Sequence, residues 1–121
     1  MALARRARRK AYAPYSKFRV GAALRAASGK VFTGCNVENA SYGLTICAER
    51  NAVFQAVAAG ERKFTAIAIA GNSKIPLRPC GACLQVLAEF APNIQIVLAN
   101  GGTREELTLR DLLPHRFQLR R

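Results

Sequence analysis

No apolar run in this sequence approaches the ~18 residues that would suggest a membrane span. The basic opening, Met1 to Lys10, is followed by no apolar stretch and no cleavage-like site. It therefore does not read as a secretory signal, and a short basic organelle-targeting segment is the other reading of it. Repeats, low-complexity stretches and linkers are absent. Histidine occurs once, at His115 between Pro114 and Arg116, and reads as a surface residue. Acidic residues are scarce, seven against nineteen Lys and Arg, for a net charge of +12.

What is present bounds the answer further. The 121 residues suit one compact domain, 1–121, and half of them are apolar, enough for a core and too many for a disordered chain. A charge of +12 raises the question of nucleic acid. The excess sits at the ends, however. Five basic groups fall in residues 1–10, and Arg110, Arg116, Arg120 and Arg121 face only Asp111 near the other end. The middle, 11–109, is only +4. A solvated basic surface is the favoured reading, and nucleic acid is not the expected partner.

Four cysteines, Cys35, Cys47, Cys80 and Cys83, could make two disulfides in a secreted protein. The apolar content and the lack of an export signal argue for reduced thiols in a cytoplasmic protein. At Cys-x-x-Cys spacing, reduced thiols suggest metal or redox chemistry.

Coarse patterning predicts a helix end over the first ten residues, broken by Pro14. Strands are expected at Phe18–Ala26 and Val31–Val37, with Ser28-Gly29 as the hairpin turn. Helices follow at Cys47–Ala59, capped by Thr45 and stopped by Gly60, and at about Gly81–Phe90 after Pro79. Phe64–Ala70 and Ile94–Ala99 read as buried strands, and Leu109–Leu113 as a last short helix closed by Pro114. Apolar strands alternating with helices suit a sheet covered on both faces and at least partly parallel.

The chemistry concentrates in Cys47-Ala48-Glu49-Arg50 and Pro79-Cys80-Gly81-Ala82-Cys83. Each cysteine falls at or near a predicted helix start, where backbone N–H groups and the macrodipole favour thiolate. Cys80 and Cys83, three apart, can offer both sulfurs from one turn, and Cys47 adds a third from the other helix. Three protein ligands leave one zinc position open, as in catalytic sites. Glu49, two residues past Cys47, can take a proton from water at the metal and return it to substrate. Three thiolates make the metal electron-rich, a poorer Lewis acid. Arg50, hydrogen-bonded to the sulfurs, would withdraw that charge. The pattern matches the zinc deaminase signature of a Cys or His ligand, a catalytic Glu and Pro-Cys-x-x-Cys. The rival readings are a redox dithiol, a chance pair of buried thiols, or a purely structural zinc.

Together with Tyr15-Ser-Lys-Phe-Arg-Val-Gly-Ala-Ala23 and Gly34-Cys-Asn-Val-Glu-Asn-Ala-Ser41, these motifs resemble the small, homotetrameric type of cytidine deaminase. The resemblance runs from about Ala11 to Phe117. It implies a three-layer α/β/α fold with a central mixed sheet flanked by helices, one zinc per subunit, and a nucleoside substrate. It implies further that Phe18 stacks on the pyrimidine, and that Asn36 and Glu38 bind ribose, chiefly its 3′-hydroxyl. The backbone around Ala48, with Glu49, would recognise the base. Ala40, Tyr42 and Phe117 would complete a neighbouring subunit's site. Plain alternatives are Phe18 as core, Asn36 and Glu38 as a turn pair after a strand, and Phe117 as a packed tail residue. Cys35 reads as a small buried hydrophobe.

Three features depart from the family: the first helix is short or its true start lies upstream, the tail Phe117–Arg121 is basic where family tails are commonly acidic, and the stretch Gly71–Arg78 is short. The implied activity is hydrolytic deamination of cytidine and deoxycytidine in pyrimidine salvage. The competing readings are a deaminase of a cytosine-nucleoside antibiotic such as blasticidin S, a polynucleotide cytosine deaminase, and a zinc-stabilised binding module. Phe18 and the Asn36/Glu38 pair favour an ordinary nucleoside. Glu38 opposes a polynucleotide, because the 3′-phosphate of a chain would meet a carboxylate. Glu49 opposes the binding module, which has no use for it.

Overall fold

The computed structural model describes residues 1–72, 78–100 and 103–119. Five strands form one sheet in the order β2-β1-β3-β4-β5. They are β1 (Val20–Ala26), β2 (Val31–Cys35), β3 (Phe64–Gly71), β4 (Gln95–Asn100) and β5 (Thr103–Thr108). Only β3 and β4 run parallel, and the other neighbours are antiparallel, so the sheet is mixed. The helices are α1 (Ala2–Arg8), α2 (Ala48–Ala58), α3 (Gly81–Phe90) and α4 (Leu109–Leu112).

Two glycines seat the helices. A Cβ on Gly21 would lie 2.0 Å from the Ala4 carbonyl oxygen, so the backbone of α1 rests directly on β1. A Cβ on Gly34 would lie 2.5 Å from the Ala48 carbonyl oxygen, and α2 rests on β2 in the same way. Gly34 pairs with Ala22, the residue after Gly21, so the pleat sends the two glycines to opposite faces. The α2 face carries the main core, where Leu24, Ile67, Ile96, Leu98, Leu87 and Leu109 are all fully buried. Each such side chain contributes roughly 1.5–3 kcal/mol. The α1 face has a thinner layer of Ala4, Ala23 and Ala70. The layers are thus helix, sheet, helix.

Several boundaries differ from expectation. The first strand starts at Val20, because the backbone of residues 17–19 bonds to asparagine side chains instead of a ladder. β2 ends at Cys35, and Val37 leaves the sheet to bridge Tyr12 and Ile46. Cys47, not Thr45, is the N-cap of α2. The Thr45 hydroxyl instead accepts from the Asn39 N–H at 3.2 Å. The strand Thr103–Thr108 was not anticipated, since TREELT is polar and its faces are exposed or half-buried. The signal was Gly101-Gly102 after an apolar strand, a hairpin composition. Gly29 (φ 93°) and Gly60 (φ 95°) close the first hairpin and α2 as the sequence predicts. The short helix α4 carries a capping box between Thr108 and Asp111. No helix among the described residues is long and apolar enough to cross a membrane.

Candidate functional site

The starts of α2 and α3 converge. Cys47 is the N-cap of α2, Cys80 the N-cap of α3, and Cys83 lies in the first turn of α3. Neither N-cap sulfur makes a capping bond to its helix's backbone, and the two sulfurs face each other instead. The Cys47 and Cys80 sulfurs are 3.9 Å apart and those of Cys80 and Cys83 3.4 Å apart. All three lie within 4.8 Å of one another. Zinc–sulfur bonds of ~2.3 Å at tetrahedral angles require sulfurs ~3.8 Å apart, so this donor set fits zinc. Cys35 stands outside the cluster, free and half-buried, with burial raising its thiol.

Electrostatics around the sulfurs is uneven. The Cys83 thiol hydrogen-bonds Cys47 and pushes it down to about 5, against the cost of burial and with help from Arg50. The same bond, with burial, pushes Cys83 up. Arg50 donates from Nη2 to the Cys47 sulfur at 3.4 Å. Metal binding would displace the remaining thiol protons.

Glu49 is buried in the first turn of α2. Burial pushes its carboxyl up to about 7, and the charge on Cys47 adds to the rise. A carboxyl poised near neutrality can both accept and return a proton.

Beside the sulfurs lies a cavity of about 290 Å³. Phe18, Asn36, Cys47, Ala48, Glu49 and Cys80 are among its walls. Thr45 and Arg78 line it too, and sequence reasoning missed both roles. Arg78 is ion-paired to Glu105 at 2.6 Å; its only sequence signal is adjacency to Pro79-Cys80. Within the stretch Gly71–Arg78 noted above, residues 73–77 lie outside the described residues. A larger cavity, about 740 Å³, opens between α1, β2 and α2. It is lined by Arg6, Lys10, Cys35 and Phe54 among others, and Cys35 is its sole ligating side chain among the described residues. The smaller cavity, beside the three sulfurs, is therefore the candidate site.

Cys83 and Arg50 stand behind the walls of that cavity, and four more of the predicted residues, Glu38, Ala40, Tyr42 and Phe117, also fall outside them. Glu38 is buried, and its Oε1 accepts from the N–H groups of Tyr15 (3.0 Å) and Ser16 (3.2 Å). Its Oε2 accepts from the Ser16 hydroxyl and, at 3.4 Å, from the Tyr42 hydroxyl. The Ser16 hydroxyl is the main cause holding Glu38 below the usual carboxylate range. Ala40 and Tyr42 are exposed. Phe117 is 71% exposed, its carbonyl accepting from Gln85 Nε2 at 3.0 Å. His115 is exposed as expected.

A mixed sheet with three sulfurs at converging helix starts, and a buried carboxyl beside them, defines a zinc-binding α/β hydrolytic site. The chain belongs to the family of the cytidine and deoxycytidylate deaminase zinc-binding region, whose model matches residues 1–99. It is 49% identical over 119 residues to the cytidine deaminase of Sporosarcina psychrophila, covering 97% of this chain and 88% of that protein. The crystal structure of cytidine deaminase from Burkholderia pseudomallei superposes with a TM-score of 0.92 at 55% identity, covering 96% of this chain and 94% of that one. That of Mycobacterium tuberculosis superposes at 0.85 with 41% identity, covering 98% and 94%.

Proposed function

We propose that this protein hydrolyses cytidine and deoxycytidine to uridine and deoxyuridine. The observation that carries the reading is the 290 Å³ cavity, which holds Glu49, two of the three clustered sulfurs and Phe18 in one wall set. A cavity of that size suits a single small molecule. Cys47, Cys80 and Cys83 would hold one zinc ion, which when bound supplies Lewis-acid activation of water. Glu49 accepts the proton released as the water oxygen bonds to C4 and delivers it to N3. It then takes the second proton from the new C4 hydroxyl and hands it to the amine, which leaves as ammonia as the C4–N bond breaks. Arg50 withdraws charge from the Cys47 sulfur. Phe18 packs against the pyrimidine, and the backbone around Ala48 with Glu49 reads the base.

Asn36 and Glu38 take the ribose, chiefly at the 3′-hydroxyl. A carboxylate accepts about four hydrogen bonds, and Glu38 already accepts four. The Tyr42 hydroxyl, the longest at 3.4 Å, is the one a ribose hydroxyl would displace.

The whole chain acts as one catalytic domain, working in the cytoplasm as a homotetramer with shared sites. Supporting this, Ala40, Tyr42 and Phe117 are exposed and lie outside the walls of their own subunit's cavity. Zinc analysis together with loss of cytidine absorbance tests the proposal. One zinc per chain with turnover is expected, and a zinc-loaded protein inert on both nucleosides would refute it.

A further inference from the structure

Phe18 lies in a segment whose backbone is gripped from both flanks by asparagines. Asn36 follows β2, and Asn72 follows β3, the two strands on either side of β1. Asn36 donates its backbone N–H to the Val20 carbonyl (3.2 Å), accepts at Oδ1 from the Val20 N–H (2.9 Å), and donates from Nδ2 to the Phe18 carbonyl (2.8 Å). Asn72 repeats these three bonds one residue earlier. Its N–H reaches the Arg19 carbonyl (3.2 Å), its Oδ1 accepts from the Arg19 N–H (3.1 Å), and its Nδ2 donates to the Lys17 carbonyl (3.1 Å).

The remaining donor, the Phe18 N–H, is taken by the Ser16 hydroxyl at 3.0 Å. Lys17, between Ser16 and Phe18, has φ 61°. A non-glycine residue keeps that left-handed conformation where its surroundings impose it. The carboxamide is the side chain that offers a donor and an acceptor at once, so it can hold two backbone groups two residues apart. Among the described residues lining the cavity, Phe18 and Asn36 appear and Asn72 does not.

We propose that Asn72 is a positioning residue: with Asn36 it clamps the Lys17–Val20 backbone and so fixes the Phe18 ring at the cavity wall, setting affinity for the substrate's base. This rests on the reading that the cavity takes a nucleoside. Because Asn72 acts through Phe18, its loss weakens binding and spares the proton-transfer step. Losing two neutral hydrogen bonds sets the scale.

Asn72→Ala is expected to raise KM for cytidine about tenfold, with kcat within about threefold of the parent and zinc content unchanged. Asn72→Asp keeps the acceptor for Arg19 but loses the donor to Lys17, and should fall short of the parent as well. In a Phe18→Ala background, Asn72→Ala should add less than about a twofold change in KM. An unchanged KM in the single variant, or an equal rise with Phe18 removed, overturns the proposal. Amide hydrogen exchange gives a readout independent of turnover. The Arg19 amide should exchange at least about tenfold faster in Asn72→Ala, while the Val20 amide, held by Asn36, keeps its protection. Unchanged Arg19 exchange refutes the clamp. Absence of cytidine turnover in the parent refutes the nucleoside reading instead, and the exchange result then decides the clamp alone.

Discussion

Arg50 donates from Nη2 to the Cys47 sulfur at 3.4 Å, while its Nε lies buried with no hydrogen-bond partner among the described residues. One side chain thus joins the charge of the sulfur cluster to an unspent donor beside it. A guanidinium held so close is expected to act on the metal's acidity more than on its retention. Arg50→Ala should lower turnover about 10–100-fold with zinc largely kept. Metal analysis beside kcat checks this, and unchanged turnover in the loaded variant would remove the role.

Glu49 is buried against the same cluster, with its carboxyl pushed up to about 7. Glu49→Gln preserves shape and removes the base. Turnover should fall by about 10²–10⁴-fold at full zinc occupancy. A variant that still deaminates cytidine near the parent rate would mean that the proton travels by another group.

Chelation should abolish activity and lower the thermal midpoint, since a ligand bound only by the folded state stabilises it by mass action. Cys80→Ser should show the weakened state without chelator, with zinc binding reduced and the midpoint depressed. Zinc titration followed by calorimetry measures both. A midpoint indifferent to zinc would argue that the sulfurs hold no ion.

Glu38 gives a pH dependence of known sign. Its carboxyl is held below the usual range, first by the Ser16 hydroxyl and then, with burial opposing, by the N–H groups of Ser16 and Tyr15. A depressed folded value means that the ionised form stabilises the fold. That contribution is complete above the unfolded value of about 4.3 and is lost as pH falls through the folded one. The urea midpoint of the parent should therefore exceed that of Glu38→Gln at neutral pH, with the gap closing in acid. A gap of constant size from neutral to acid pH would contradict the bonds seen at Tyr15 and Ser16.

Gly21 and Gly34 leave no room for a methyl group. Gly21→Ala would place a Cβ 2.0 Å from the Ala4 carbonyl oxygen, and Gly34→Ala one 2.5 Å from that of Ala48. Each forces a helix off the sheet and should cost at least about 1–3 kcal/mol. Gly34→Ala should also depress zinc affinity, because α2 carries Cys47. Urea unfolding and zinc titration of the pair separate the two effects.

Much of the fold is legible in the sequence. FTAIAIA and the apolar stretch around Ile94–Ala99 read as buried strands, and they are β3 and β4. Gly60 and the Ser28-Gly29 turn fell where predicted, because positive φ restricts the residue type. The strand Thr103–Thr108 was missed, because an edge strand with charged residues on it has no apolar period to detect. Thr45 failed as a cap for a different reason. Its hydroxyl had a competing partner, the Asn39 N–H, that no local pattern reveals.

The division at the site follows the same line. Sequence alone singled out the candidate residues: Cys47, Glu49, Cys80 and Cys83 stand at spacings tied to helix starts, and that geometry is local. Tertiary structure decided what those groups meet. It brought α2 to α3 so that three sulfurs from two helices lie within 4.8 Å of one another. It tied Glu38 to the backbone N–H groups of Tyr15 and Ser16, and gave Asn72 a place beside the Phe18 segment, 54 residues earlier in the chain. Helix periodicity and turn chemistry act over a few residues and leave a trace in the sequence. A hydrogen bond between residues far apart in the chain depends on how the sheet is ordered, and a single sequence carries no mark of it.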